Sequence, residues 1–231
     1  MVVKLQQVVP FGRSLDEYVR MFNLSSDDLQ RTVLGIADGP ASFNAEATQK
    51  GSPVTSVDPL YHFTGSEIRR RFDAVVDDII QQVRETPNDW VWTYHSSPDT
   101  LRESRIQTIE RFLEDYDQGL REGRYCVGEL PHLSFADSQF DLALCSHFLF
   151  LYSAHLDYAF HRNAVFELLR VSREVRIFPL TTLMLERSLY IDDLRVEMEQ
   201  RNYVVSIVKS NYEFQKGGHE MMVIQPCNPP C

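Results

Sequence analysis

Cysteine is scarce, and what there is forms no framework. The 231 residues hold four. Cys126 and Cys145 lie in apolar, strand-like runs and read as small core residues. Cys227 and Cys231 form a C-x3-C at the carboxyl terminus, half of a zinc ligand set with no second His/Cys pair nearby, so no metal site is expected. Long apolar runs are also missing. No segment approaches the roughly 20 residues a membrane span needs. The first residues carry no apolar stretch followed by a small-residue cleavage site. A cytoplasmic chain with no membrane partner is therefore expected. Positive charge is in deficit, with 33 acidic against 23 basic residues and a net charge of −10. That argues against a general phosphate-backbone binder, and no nucleic acid is expected as partner. The densest basic run, Arg69 to Arg71, is ringed by Glu67, Asp73, Asp77 and Asp78 and reads as a solvated helix face. There is no G-x-S-x-G elbow and no G-x4-G-K-[ST] loop, which argues against a serine hydrolase and a P-loop enzyme. Internal repeats and low-complexity tracts are absent.

What remains is ordinary globular material, 43% hydrophobic and 24% charged, enough for one domain to bury a core without staples. "SLDEYVRMFNL" opens with Ser14 and has Glu17 three residues on, a capping box at the head of an amphipathic helix. "RTVLGIA" is a short strand. "SFNAEATQKG" follows as a helix ending at Gly51, and "PVTSVDPLY" is a second strand. Strand, turn, helix and strand within about thirty residues make a βαβ unit. Residues 64–123 break that rhythm. "GSEIRRRFDAVVDDIIQQVRE" sets Ile68, Phe72, Val75, Val76, Ile79, Ile80 and Val83 on one continuous helical face. A turn-rich connector follows, and then a second amphipathic helix through Leu101, Ile106, Ile109, Phe112, Leu113 and Tyr116. Sixty residues is too long for a loop, so the segment is expected to be a helical insertion. After it come the strands "RYCVGEL" and "DLALCSHFLFLY", the helix "HRNAVFELLRVS", the strand "EVRIFPL", another helix, and two strands joined by "KGG". The pattern predicts an α/β fold. It is a Rossmann-like, doubly wound, seven-stranded, mostly parallel sheet with an antiparallel C-terminal hairpin and the helical insertion at 64–123.

In such sheets ligands bind outside the carboxyl ends of the strands. The stretch "VLGIADGPASFNAEA" turns from a strand into a helix there. Its backbone N–H groups face outward, Gly39 permits φ > 0, and Pro40 suits a helix start. A plain βα turn would use the same residues. Asp58, at the end of the second strand about twenty residues on, suits the hydroxyls of an adenosine ribose. An Asp-Pro turn initiator would also put an acid there.

"GELPHLSFADSQFDLALCSHFLFLY" is similar to the middle of class I S-adenosylmethionine-dependent methyltransferases, which commonly read "GDAxxLPFxDxxFDxVxxxxxL". "VLGIADGPASF" looks like that family's first motif, and "VTSVDPLY" looks like its acidic second-strand end. The resemblance covers roughly Thr32 to Asp58 and Arg124 to Leu180. It implies a Rossmann-like fold and S-adenosylmethionine as cofactor, with S-adenosylhomocysteine as product. It further implies that Gly35 through Ala41, including Ala37, Asp38 and Gly39, wrap the methionine portion. Asp58 would hold the ribose and Glu129 would lie near the adenine amine. Ser146 and His147 would border the sulfonium and the substrate, with His147 the best-placed base.

The chain departs from the family at Gly35, where an acid is common, and at Ala37 and Ala41, where glycine is usual. Asp38 stands three residues on as a possible replacement for the acid. The expectation is a methyltransferase acting on a small molecule, with residues 64–123 selecting it. A catalytically inactive, methyltransferase-like interaction protein is the alternative, and a nicotinamide dehydrogenase fits less well. Tyr61, His62, Tyr152 and His155 are further residues near the expected site. Trp90, Trp92 and Tyr94 are expected to pack or to contact a lid rather than to stack on substrate.

Overall fold

The computed structural model describes residues 10–227. Cys231 and the first nine residues lie outside them, so the expectations for the terminal thiol pair and for a leader fall outside the described residues. Seven strands form one sheet: β1 (Val33–Ile36), β2 (Val54–Val57), β3 (Tyr125–Cys126), β4 (Leu142–Ser146), β5 (Val175–Phe178), β6 (Tyr203–Lys209) and β7 (Glu220–Pro226). Their order is β3-β2-β1-β4-β5-β7-β6. β1 to β5 pair in parallel, and β7 pairs antiparallel with both β5 and β6. The expected seven-stranded, doubly wound sheet with its C-terminal hairpin is what the chain forms.

Side chains alternate across the sheet with the period of two that a strand imposes. Val33, Leu142 and Leu144 face one core, shared with α1 (Leu15–Phe22), α2 (Phe43–Gln49), α3 (Gly65–Asp73), α4 (Val76–Glu85) and α5 (Pro98–Arg121). Leu34, Ile36, Ala143 and Cys145 face the other, shared with α6 (Tyr158–Val171) and α7 (Ile191–Gln200). Burial on both faces explains why "DLALC" reads as an unbroken apolar run. The helix starts follow the sequence signals. Ser14 and Glu17 form the expected capping box on α1, and Thr64 with Glu67 forms another on α3.

Three expectations need correction. The single apolar helix expected from residue 65 to 85 is two helices. Val75 leaves helical geometry at φ −123°, both halves pack on the 24-residue α5, and Val75 turns toward the cavity described below. The strand expected in "RYCVGEL" shrinks to Tyr125–Cys126, because beyond it the chain crosses over the end of β2, with Gly128 against Val57. And α5, expected as part of an insertion, packs on α2 and leads straight into β3. It is thus the crossover that two parallel neighbours require. The elements in excess of a plain crossover are α3, α4 and the connector at 86–97. Cys145 is buried and Cys126 partly so, both in strands. Among the described residues no helix is long and apolar enough to cross a membrane.

Candidate functional site

The chain leaves β1 toward β2 and β3 on one side and later adds β4, β5, β7 and β6 on the other. The reversal opens a crevice at the carboxyl ends of β1 and β4. A cavity of about 1080 Å³ occupies it, bordered by Ala37, Asp38, Gly39, Asp58, Glu129, Ser146 and His147. Gly35 is the exception among the expected site residues, since it does not reach the cavity.

The reason lies in Asp38. A Cβ on Gly35 would fall 1.9 Å from Asp38 Oδ2. The Asp38 carboxyl therefore folds back into the space a side chain at position 35 would fill. There it accepts hydrogen bonds from the hydroxyls of Tyr18 (2.5 Å) and Ser56 (2.6 Å). Ser56 is the register partner of Gly35 on β2. The acid missing from the strand is thus supplied from three residues downstream, and an acid introduced at position 35 would collide with it. Burial pushes the Asp38 carboxyl up to about 7 against the opposing help of Ser56 and Tyr18.

Asp58 sits where β2 ends. Its Oδ2 accepts from the Gly39 N–H at 2.8 Å and its Oδ1 from the Leu60 N–H at 2.7 Å. Each oxygen keeps a second lone pair, and Asp58 borders the cavity. Asp58 is therefore both turn initiator and clasp of the loop. Burial raises its pKa, and the two N–H groups oppose that. The Tyr61 hydroxyl donates to the Gly39 carbonyl at 2.8 Å, and the Tyr61 ring packs against Phe112 and Tyr116 of α5. His62 is exposed and outside the cavity lining. Gly39 takes φ +54° with nothing within 4 Å of its missing Cβ, leaving open space against the loop. Ala37 takes φ +55°, a conformation that costs an L-residue about 1–2 kcal/mol. Ala37→Gly is expected to stabilise the protein by up to about 1 kcal/mol, read as a higher urea midpoint at unchanged m-value. A lower midpoint would refute the strain.

At the end of β4 the Ser146 hydroxyl donates to Met21 Sδ at 3.9 Å, and its Oγ lies 2.9 Å from His147 Nδ1. With that proton directed to Met21, Ser146 Oγ accepts from His147 Nδ1–H. His147 Nε2 is then left as a bare acceptor. Burial, reinforced by Arg13 and Arg105, holds the His147 pKa well below its ordinary value, so the ring is neutral at pH 7. Glu129 is exposed at the cavity rim. Tyr152 lines the cavity, whereas His155 is exposed away from it. Trp90 stacks on Phe214 at 4.8 Å, Trp92 meets the same ring edge-on, and Tyr94 packs on Tyr212. This aromatic stretch mainly packs, and Trp90 alone of the three borders the cavity.

One cluster escaped sequence reasoning. Glu17, fully buried, is clamped by Arg105 through both oxygens at 2.7 and 2.8 Å. It also accepts from Tyr212 at 3.0 Å and from the Ser14 N–H at 3.0 Å. Burial disfavours its charge, yet Arg105 and the hydrogen bonds from His95 and Arg105 hold its pKa well below the usual carboxylate range. The signal was present in the sequence. Arg105 stands on the apolar stripe of α5, four residues after Leu101 and four before Ile109. Among the described residues no group of three or more His, Cys, Asp or Glu is placed to hold a metal ion.

The strand order, the crevice and the antiparallel β7 together are the class I methyltransferase fold. No protein-family model matches the chain. Uncharacterized protein MJ0045 of Methanocaldococcus jannaschii is 36% identical over 224 residues, spanning 96% of this chain and 98% of that one. The chain belongs to the family of that protein. Among solved structures, magnesium protoporphyrin IX methyltransferase from Synechocystis PCC 6803 with bound S-adenosylmethionine aligns over 92% of this chain and 77% of its own. Its identity is 11% and its TM-score 0.48. A SAM-dependent methyltransferase from Methanosarcina mazei aligns over 87% and 94%, at 13% identity and TM-score 0.44. At these scores the likenesses add nothing to the strand order, which carries the fold by itself.

Proposed function

We propose that the protein transfers a methyl group from S-adenosylmethionine to a small molecule. The observation that carries this reading is the pairing of Asp58 with Gly39 at the crevice, beside a cavity that reaches Ser146 and His147. The residues fit the cofactor. Asp58 has free lone pairs for two ribose hydroxyls, and Gly39 leaves room for close approach. The volume exceeds what one cofactor of this size needs, leaving space for an acceptor. Glu129 at the rim serves the adenine amine, and Ala37, Asp38 and Gly39 border the methionine portion. When bound, the cofactor supplies a methyl group whose bond to sulfur breaks as the bond to the acceptor forms, leaving S-adenosylhomocysteine. His147 Nε2 takes the proton that a hydroxyl or amine acceptor loses, and Ser146, accepting at Nδ1, holds the ring in the tautomer that allows it. Of residues 64–123, the part in excess of the α5 crossover (α3, α4 and the connector at 86–97) contributes Val75, Ile79, Val83 and Trp90 to the cavity wall and acts as the cap that selects the acceptor. The reaction takes place in the cytoplasm, and no nucleic acid or membrane takes part.

A second reading is an inactive descendant that keeps the fold as an interaction module. The αL strain at Ala37, where glycine would be relaxed, supports it. Calorimetric titration with S-adenosylhomocysteine, with NAD as control, separates the two. Micromolar binding of the first alone is expected. Asp58→Ala is expected to weaken it by more than about tenfold, since charge-assisted hydrogen bonds contribute about 1.5–3 kcal/mol each. Because Asp58 also clasps the loop, the variant's melting curve is recorded alongside. A variant that binds as tightly as wild type removes Asp58 from the ribose site. A wild-type protein that binds neither S-adenosylhomocysteine nor S-adenosylmethionine leaves the inactive reading standing.

A further inference from the structure

Three guanidiniums border the cavity: Arg71 lies over the Phe63 ring, and Arg13 and Arg105 act on His147. The Arg105 side chain is 1% exposed and that of Arg13 is 13% exposed. One buried carboxylate, Glu17, stands beside them, and it is already saturated. Its Oε1 takes Arg105 and Tyr212, and its Oε2 takes Arg105 and the Ser14 N–H. Arg13 Nε pairs with Oε1 only at 3.7 Å, beyond hydrogen-bonding distance, and it is buried with no hydrogen-bond partner. The other Arg13 contacts are to neutral carbonyls of its own chain, Phe11 at 2.7 Å and Gly12 at 3.3 Å.

Glu17 is the carboxylate that acts on Arg13. His95 lies 3.2 Å from Arg105, and burial with the two guanidiniums holds its ring neutral. Asp38 and Asp58 feel no guanidinium among the charges acting on them, whereas His147 feels both. The cavity is therefore polarised, with Asp38 and Asp58 at the β1 and β2 ends, Asp78 on α4, Glu129 at the rim, and two cations for one anion near the β4 end. A buried guanidinium with an unmade donor is costly unless a ligand completes it. The remaining walls are apolar and aromatic, including Trp90, Phe148, Leu151, Phe160 and Phe214.

We propose that the methyl acceptor is a hydrophobic carboxylic acid whose carboxylate is held by Arg13 beside Arg105, next to His147. This rests on the methyltransferase reading of the cavity. An acid with an aromatic or aliphatic body would bury that body under α4 and the connector while its charge meets the Arg13 guanidinium where it borders the cavity. The carboxylate fixes the acceptor's orientation, as planar guanidiniums do for planar anions.

The test uses full-length protein and two matched pairs of probes, phenylacetate against 2-phenylethanol and octanoate against 1-octanol, measured by calorimetry and thermal shift. Wild type is expected to bind each acid at least tenfold more tightly than its alcohol. Arg13→Met is expected to lose that preference, Arg13→Lys to keep part of it, and all three proteins to bind S-adenosylhomocysteine equally. Acids that bind no better than alcohols, or equally well to Arg13→Met, overturn the proposal. So does an Arg13→Met protein that loses S-adenosylhomocysteine tenfold yet keeps 5′-methylthioadenosine, because the guanidinium then serves the cofactor's own carboxylate. Acid binding by a wild type that ignores S-adenosylhomocysteine upholds the anion site and refutes methyl transfer instead.

Discussion

Arg105→Met is expected to destabilise the protein by about 3–5 kcal/mol, the usual result of stripping one partner from a buried ion pair. The cost falls on Glu17. It is fully buried and its two oxygens are both clamped by Arg105. Methionine fills much of the arginine's volume, so the loss is electrostatic rather than a cavity. The stranded carboxylate keeps Tyr212, the Ser14 N–H and an Arg13 Nε at 3.7 Å, which is too little to replace a two-point clamp. The double variant Glu17→Gln/Arg105→Met removes the charge along with its partner and is expected to recover most of the loss. Urea unfolding of the three proteins measures this. A single variant within about 1 kcal/mol of wild type would mean that Arg13 takes over the pair.

Asp38→Asn is expected to give the second large effect, and it depends on pH. In the folded protein the carboxyl titrates at about 7, against 3.8 when exposed. A pKa raised by folding contributes stability that is complete below the unfolded value and lost as pH rises through the folded one. From 3.8 to about 7, at about 1.4 kcal/mol per power of ten, the loss is on the order of 4 kcal/mol. Asparagine does not titrate. It accepts from Tyr18 and donates to Ser56, whose hydroxyl turns to accept. The variant is therefore expected to match wild type near pH 4 and to exceed it increasingly between pH 4 and 8. A stability difference that stays level across that range would show that Asp38 is not the titrating group.

Much of the fold was legible because its signals are local. The Ser14–Glu17 box, the apolar run of β4, the "KGG" turn and Asp58 before a proline each act through neighbours a few residues away. The contacts that shape the site are not local. Gly35 looked like a loss because its partner Asp38 reaches it only after the chain turns, and Ser56 and Tyr18 complete the arrangement from another strand and from α1. Arg105 and Glu17 are 88 residues apart, and each alone reads as something ordinary, a helix-face arginine and a cap. Residues 65–85 carry one uninterrupted stripe, so no sequence signal marks the break at Val75. It comes from packing against α5. The role of α5 itself was hidden by length, since periodicity cannot tell a crossover helix from one that is extra.

That double duty of α5 has a mechanical consequence. Arg105 brings one wall of the cavity, Tyr116 ties down the chain after β2 by donating to the Tyr61 and Phe63 carbonyls, and the same helix feeds β3. It behaves as a beam built into the frame at both ends. Any opening that admits an acceptor must therefore swing α3 and α4 against it, like a flap hinged at the Thr64 corner and along the connector, while the beam and the charges mounted on it stay still.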